Sequence, residues 1–309
     1  KETTEEYSNF LLNSSPFKDN KESLNFYYID DYSPECKLYK GVAILCSSKE
    51  IIKKSASCPN DLIVVIKDES PEIRSSSYMN VVSINSNSPK SVLLHELGHA
   101  LANLADEYIP STIPSKSENC QQSCKIFEDA GLECFNGCSD NNHQRSVENG
   151  IMRTLYSDNY GKFNEEIISK KLNNPQTITG MAIENPVNCK NEKYILIDGD
   201  YNNGEIEIQN KSIETGCIGT NGVGDFNFKI NKKDGSSLQQ QEFNPNLIFT
   251  DVQSNEEIEN IQGGTEEYAG EFLLKIPLIE NAKSLEIIKN QEIISKINLA
   301  DVDSRPCRV

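Results

Sequence analysis

Ser91-Val-Leu-Leu-His-Glu-Leu-Gly-His-Ala-Leu-Ala-Asn-Leu-Ala-Asp-Glu-Tyr108 is the stretch on which the reading of this chain turns. Within it, His95-Glu96-x-x-His99 sets two imidazoles one helical turn apart, a spacing at which both reach a single metal ion while a glutamate stands beside them. The chain has 3 histidines, and this stretch uses two of them. With about 100° between successive residues, His95, His99 and Glu96 share one arc of the helix, and Leu93, Leu94, Leu97, Leu101, Leu104 and Ala100 fill the opposite one. One face is therefore core and the other carries ligands. The bland alternative is an amphipathic helix with a half-buried histidine pair, and it leaves Glu96 without a purpose. Upstream, Ser88-Pro89 predicts an N-cap followed by a proline at the first helical position.

A catalytic zinc takes three protein ligands and leaves a fourth position for water. Asp106 comes seven residues after His99. On an unbroken helix it would sit ~10.5 Å farther along the axis, out of reach. The helix must stop and the chain must turn back, and Asn103 is the residue expected to do it, because Asn tolerates the left-handed conformation that ends helices. Glu107, His143 and a downstream glutamate are the other candidates for the third position. If Asp106 takes it, Glu107 is left to support the site from behind.

The length of 309 residues suggests two domains. Lys+Arg 30 against Asp+Glu 47 gives a net charge of −17, which argues against nucleic acid or an anionic membrane as partner. The longest apolar runs, Val42–Cys46 and Leu62–Ile66, are too short to span a bilayer. Because the chain starts at Lys1, an upstream targeting segment is expected to have been removed. The 10 cysteines, at 36, 46, 58, 120, 124, 134, 138, 189, 217 and 307, include no CxxC pair. They predict disulfides and an extracellular or cell-surface location. In the tightest group, Cys120-x3-Cys124-x9-Cys134-x3-Cys138, two nested bridges across a short helical hairpin are expected, with a structural four-cysteine zinc site as the alternative.

Along the chain, Thr4–Asn13 reads as an amphipathic helix and Asn25–Asp30 as a strand. Val42–Cys46, Lys49–Ser57 and Asp61–Lys67 read as strand, helix and strand, which predicts a right-handed parallel unit. Met79–Ile84 is expected to be an edge strand just before the motif helix, open to pairing with an extended peptide. A helix is expected from Asn164 to Leu172. Beyond Asn173-Asn-Pro-Gln176 the pattern changes to seven short strands, 194–197, 205–208, 226–230, 247–252, 271–276, 285–288 and 292–297, separated by Gly, Asn and Asp turns. They predict an antiparallel β-sandwich.

The run from His95 to Tyr108 resembles the active-site signature of the IgA-peptidase-like metallopeptidases. The resemblance extends to Cys58-Pro-Asn-Asp61 upstream and to Cys134-Phe-x-Gly-Cys138 and Asn149-Gly-Ile-Met-Arg153 downstream, about residues 55–172. It implies a zinc peptidase in which His95, His99 and Asp106 hold Zn2+, Glu96 is the general base, and Met152 forms the turn beneath the metal. Ala102 stands where metzincins have the glycine that breaks the active-site helix, so the turn falls to Asn103 or a neighbour. The expected architecture is an α/β (α+β) metzincin-like catalytic domain with a mixed sheet over residues 1–174. An all-β immunoglobulin-like sandwich follows over 175–309.

These readings predict hydrolysis of a peptide or protein substrate, with Tyr108 or Tyr156 donating to the oxyanion. The sandwich is expected to position the catalytic domain or to bind a surface glycan or protein. A non-catalytic zinc-bearing binding module is the competing reading.

Overall fold

Five strands form the sheet that carries the motif helix, in the order β13-β12-β4-β5-β3. They are β3 (Ile63–Lys67), β4 (Ser76–Tyr78), β5 (Val81–Asn85), β12 (Leu247–Thr250) and β13 (Gly264–Glu267). The motif helix is α3 (Ser91–Ala102). This computed structural model describes residues 2–29, 32–173, 186–251 and 264–299.

The chain divides into two units, each assembled from separate stretches. One holds residues 1–46, 64–175 and 247–267, and the other 47–63, 176–246 and 268–309. One of these crossings follows residue 175, one residue beyond the expected cut after 174. A single cut does not describe the chain, however, because 247–267 belongs with the motif helix and 47–63 with the later strands.

In the first unit, α1 (Glu2–Asn13) and α5 (Lys162–Asn173) lie close to their expected positions. The two-stranded sheet of β1 (Lys37–Tyr39) and β2 (Ala43–Leu45) is separate from the five-stranded one. The predicted parallel β2–helix–β3 unit therefore does not form. The residues between, including α2 (Lys49–Ser55), are part of the other unit. No strand forms at 25–29, and Asp30 lies outside the described residues.

The strand expected over Met79–Ile84 is β5, and it is interior. It pairs with β4 antiparallel, in register Ser76↔Ser83 to Tyr78↔Val81, and has β3 on its other side. All five of its residues are buried, which explains its apolar run Val81-Val82-x-Ile84. The edge of β4 is not open either. β12 pairs along it antiparallel, with Ile248 opposite Tyr78, Phe249 opposite Ser77 and Thr250 opposite Ser76. β13 then pairs with β12. These strands bring the unit to a mixed α+β fold.

The nested bridges Cys120–Cys138 and Cys124–Cys134 form as expected. They span a short helix, α4 (Lys125–Asp129), and close onto the hairpin of β6 (Phe135–Cys138) and β7 (Asp140–Arg145). The zinc alternative for these four cysteines is thereby excluded. Cys36–Cys46 and Cys189–Cys217 are also bridged. Cys58 is a free thiol, and Cys307 lies outside the described residues. Four disulfides are those of a chain folded in an oxidising compartment. Among the described residues, no helix is long and apolar enough to cross a membrane.

Among the described residues, the second unit carries seven strands in two antiparallel sheets. One has the order β14-β8-β9 and the other β11-β10-β15-β16. The strands are β8 (Lys193–Asn202), β9 (Glu205–Thr215), β10 (Phe226–Lys232), β11 (Ser237–Phe243), β14 (Gly270–Pro277), β15 (Ala282–Lys289) and β16 (Glu292–Asn298). Aromatic contacts join the sheets face to face, Tyr201 with Phe226 and Phe243 with Phe272, so the expected sandwich is present. Its membership differs from the expectation, with β12 in the other unit and β11 in its place. The inward residues of β11 begin with Gln239 and Gln241, so it lacks the apolar alternation that marks a strand.

Candidate metal centre

Helix α3 packs so closely that His95, Glu96 and His99 are all buried. It starts at Ser91, two positions after Pro89, and Lys90 occupies the N-cap in place of Ser88. Its end is as expected. Asn103 adopts the left-handed conformation, φ 53° and ψ 33°, and its N–H donates back to the carbonyls of Gly98 and His99. Leu104 N–H also returns to Gly98 O. The reversed chain brings the Leu104 carbonyl to His99 Nδ1 at 2.6 Å and Asp106 to the imidazoles.

Asp106 Oδ1 lies 3.3 Å from Nε2 of both His95 and His99, and the two Nε2 atoms are 3.2 Å apart. Each Nδ1 faces a backbone carbonyl, Ile151 O for His95 and Leu104 O for His99. Those carbonyls hold a proton on each Nδ1, which leaves Nε2 as the ring atom available to a cation. Asp106 Oδ2 accepts from Ser111 Oγ at 3.0 Å and Thr265 Oγ1 at 2.9 Å, which leaves Oδ1 without a hydrogen bond of good geometry. Two ring nitrogens and a carboxylate oxygen thus converge in a buried space. A cation satisfies all three, and the donor set fits a divalent metal.

Burial pushes the His95 pKa down and Asp106 beside it pulls it up, for a net rise to about 9. For His99 burial prevails, and its pKa is lowered. Burial also works against ionised Asp106, but the two imidazoles hold its carboxyl far below the usual carboxylate range. Glu96 is raised well above its ordinary value by burial, against the pull of His95 and with the charge of Asp251 adding to the rise. Neither carboxylate oxygen of Glu96 has a hydrogen bond of good geometry, although the Ser77 hydroxyl is near enough to lower its pKa somewhat.

The rivals of Asp106 are placed elsewhere. Glu107 points the other way, with Oε1 accepting from Asn119 Nδ2 at 3.1 Å and Asn164 Nδ2 at 2.8 Å. Its backbone N–H donates to Met152 O. His143 sits on β7, with Nδ1 2.8 Å from Asp140 Oδ1, and is not among the converging groups. No downstream glutamate joins them among the described residues. Met152 is buried beneath the helix, where a Cβ on Gly98 would meet its Sδ at 2.7 Å. Tyr108 is buried, and burial followed by the Asp106 charge raises its pKa well above the ordinary value. Tyr156, 74% exposed, does not line the buried site.

Residues that the sequence reading missed close the site. Phe249 stacks on the His99 ring, Thr265 holds Asp106, and buried Asp251 is near enough for His95 to lower its pKa against the larger upward effect of burial. All three come from 249–265, and no local motif connects them to the helix. A scan against protein-family models finds no match, and a search of curated proteins finds none either.

Proposed function

We propose that this chain is a zinc-dependent endopeptidase of the metzincin-like type, secreted or displayed at a cell surface. The supporting observation is the convergence of His95 Nε2, His99 Nε2 and Asp106 Oδ1, with Glu96 on the same helix turn and its carboxylate without a hydrogen bond of good geometry. Zinc held there supplies Lewis acidity to a scissile carbonyl. Glu96 Oε takes a proton from the attacking water and returns it to the leaving amine. Ser111 and Thr265 keep Asp106 oriented, and the backbone carbonyls of Ile151 and Leu104 keep the imidazoles in the ligand tautomer. Tyr108, whose hydroxyl lies near Asp106 without a hydrogen bond of good geometry, is the donor available to a developing oxyanion.

One observation favours the second reading, a zinc-bearing binding module without catalysis. His95, Glu96 and Asp106 have no exposed surface, and β12 lies along the edge of β4 where an extended substrate would pair. The peptidase reading therefore requires β12 and β13 to leave β4 before a substrate enters. Cleavage of a broad peptide library separates the two readings, measured with zinc content on the full chain and on Glu96→Ala. Wild-type cleavage that is lost in Glu96→Ala at unchanged zinc content supports the peptidase. Zinc bound with no cleavage under any condition that opens the site supports the binding module.

A further inference from the structure

A second buried group of polar side chains lies in the unit formed by residues 47–63, 176–246 and 268–309. Lys275 on β14 is 1% exposed, and its Nζ donates to Asn60 Oδ1 at 2.9 Å. The Asn60 carboxamide is fixed, because its Nδ2 donates to Ser55 O at 2.9 Å and Cys58 O at 2.8 Å. Its carbonyl therefore faces the amine and cannot rotate away. Gly219 packs against the main chain at Asn60, since a Cβ there would lie 1.5 Å from the Asn60 backbone carbonyl oxygen. Asn221 fixes the lysine backbone, accepting from Lys275 N at 2.8 Å and donating to Lys275 O at 2.9 Å.

An ammonium carries three N–H donors, and burying it is costly unless it is paired and hydrogen-bonded. The hydrogen bond made by Lys275 Nζ is to a neutral carboxamide. Burial pushes this amine down to about 8, against the opposing charge of Asp61, so a neutral nucleophile is accessible near neutral pH. Asp61 follows Asn60 in the chain and reaches solvent, so it can exchange protons with water, and partial desolvation raises its pKa against the pull of Lys275.

We propose that Lys275 and Asn60 join through an intramolecular amide, with Asp61 carrying the protons. Nζ gives a proton to the Asp61 carboxylate and its lone pair attacks Asn60 Cγ. The Nζ–Cγ bond forms and the Cγ–Nδ2 bond breaks. Asp61 passes its proton to Nδ2, which leaves as ammonia, and takes up the second proton that Nζ sheds. The step needs no oxidant and no cofactor. It replaces a buried charge by a neutral secondary amide and ties together residues 215 apart in sequence. A non-covalent Lys275–Asn60 hydrogen bond is the plain alternative, and mass distinguishes the two.

The test is intact mass spectrometry of the full chain, purified with its disulfides formed and then reduced and alkylated, followed by proteolytic mapping. The expected mass is that of the sequence less one ammonia, with a branched peptide joining the segments of Asn60 and Lys275. Lys275→Arg and Asn60→Ala should restore the full mass. A cyclised Asn149-Gly150 would lose the same ammonia, so the branched peptide decides. Full mass in the wild-type chain, with Asn60 and Lys275 in separate unmodified peptides, would overturn the proposal and needs no variant to fold. Asp61→Asn should leave most chains unlinked, and linkage to the wild-type extent would remove Asp61 from the step.

Discussion

Phe249 lies flat on His99, with ring centroids 4.2 Å apart and planes inclined by 18°. His99 is a candidate metal ligand, and Phe249 belongs to the strand that covers the edge of β4. Closure of the edge and closure of the candidate metal centre are thus the same contact. Phe249→Ala removes a ring from a buried stack and should cost about 3 kcal/mol of stability. It should also speed loss of bound zinc to a chelator severalfold, and raise peptide cleavage if the peptidase reading holds. Chelator-exchange rates on folded variant and wild type provide the check, and equal rates would refute a closing role for Phe249.

Asn103 ends the motif helix in a left-handed conformation that costs most side-chain-bearing residues about 1–2 kcal/mol. Its Nδ2 also donates to Ser115 O. Asn103→Ala should lower stability by roughly that amount and weaken zinc binding at least tenfold, because the turn aims Asp106 at the imidazoles. Asn103→Gly should keep most of the affinity. Zinc titrations on the two variants test the order, and equal affinities would mean the turn does not depend on this residue.

Gly98 lets Met152 approach the helix beneath the histidines. A methyl group there would lie 2.7 Å from Met152 Sδ and 3.1 Å from Tyr160 Cε1. Gly98→Ala should cost about 1–3 kcal/mol through overpacking. Part of that loss should return in the double variant Gly98→Ala/Met152→Ala. Urea denaturation of the four proteins in the cycle yields the coupling, and strictly additive losses would show that the two positions do not meet.

Glu107 gives a pH signature. Burial, opposed by hydrogen bonds from Asn164 and Asn119, pushes its pKa from 4.5 to about 7. Between those values the folded chain holds a proton that the unfolded chain has lost. Stability from this group is therefore unaffected below about pH 4.5, falls as pH rises toward 7, and is flat above. The total is on the order of 3 kcal/mol. Glu107→Gln should flatten that interval in pH-dependent urea melts of metal-free protein. An unchanged slope would place the titration elsewhere.

How much of this was legible depended on the range of the interactions. His95, Glu96, His99 and the return through Asn103 to Asp106 all lie within one short stretch, where helical periodicity and the tolerance of Asn for positive φ are sufficient guides. The choice between Asp106 and Glu107 was not readable, because it rests on Ser111, Thr265, Asn119 and Asn164 accommodating one carboxylate each way. Leu247–Thr250 was recognisable as a strand but not as a partner of β4, since an apolar run says nothing about which edge it meets. β11 was invisible for the opposite reason. Its buried Gln241 is satisfied by Asn221, so polar residues face inward where alternation would require apolar ones.

The late position of β12 and β13 in the chain sets an order of events during synthesis. A ribosome releases α3, the Asn103 turn and Asp106 well before residues 247–267 appear. Throughout that interval β12 and β13 are not yet there to pair along β4 or to cover His95, His99 and Asp106. If these residues hold a metal, an ion that arrives then is enclosed when β12 and β13 dock, whereas one that arrives afterwards must wait for them to part. Zinc supplied during translation and zinc supplied to the finished chain should therefore load at very different speeds.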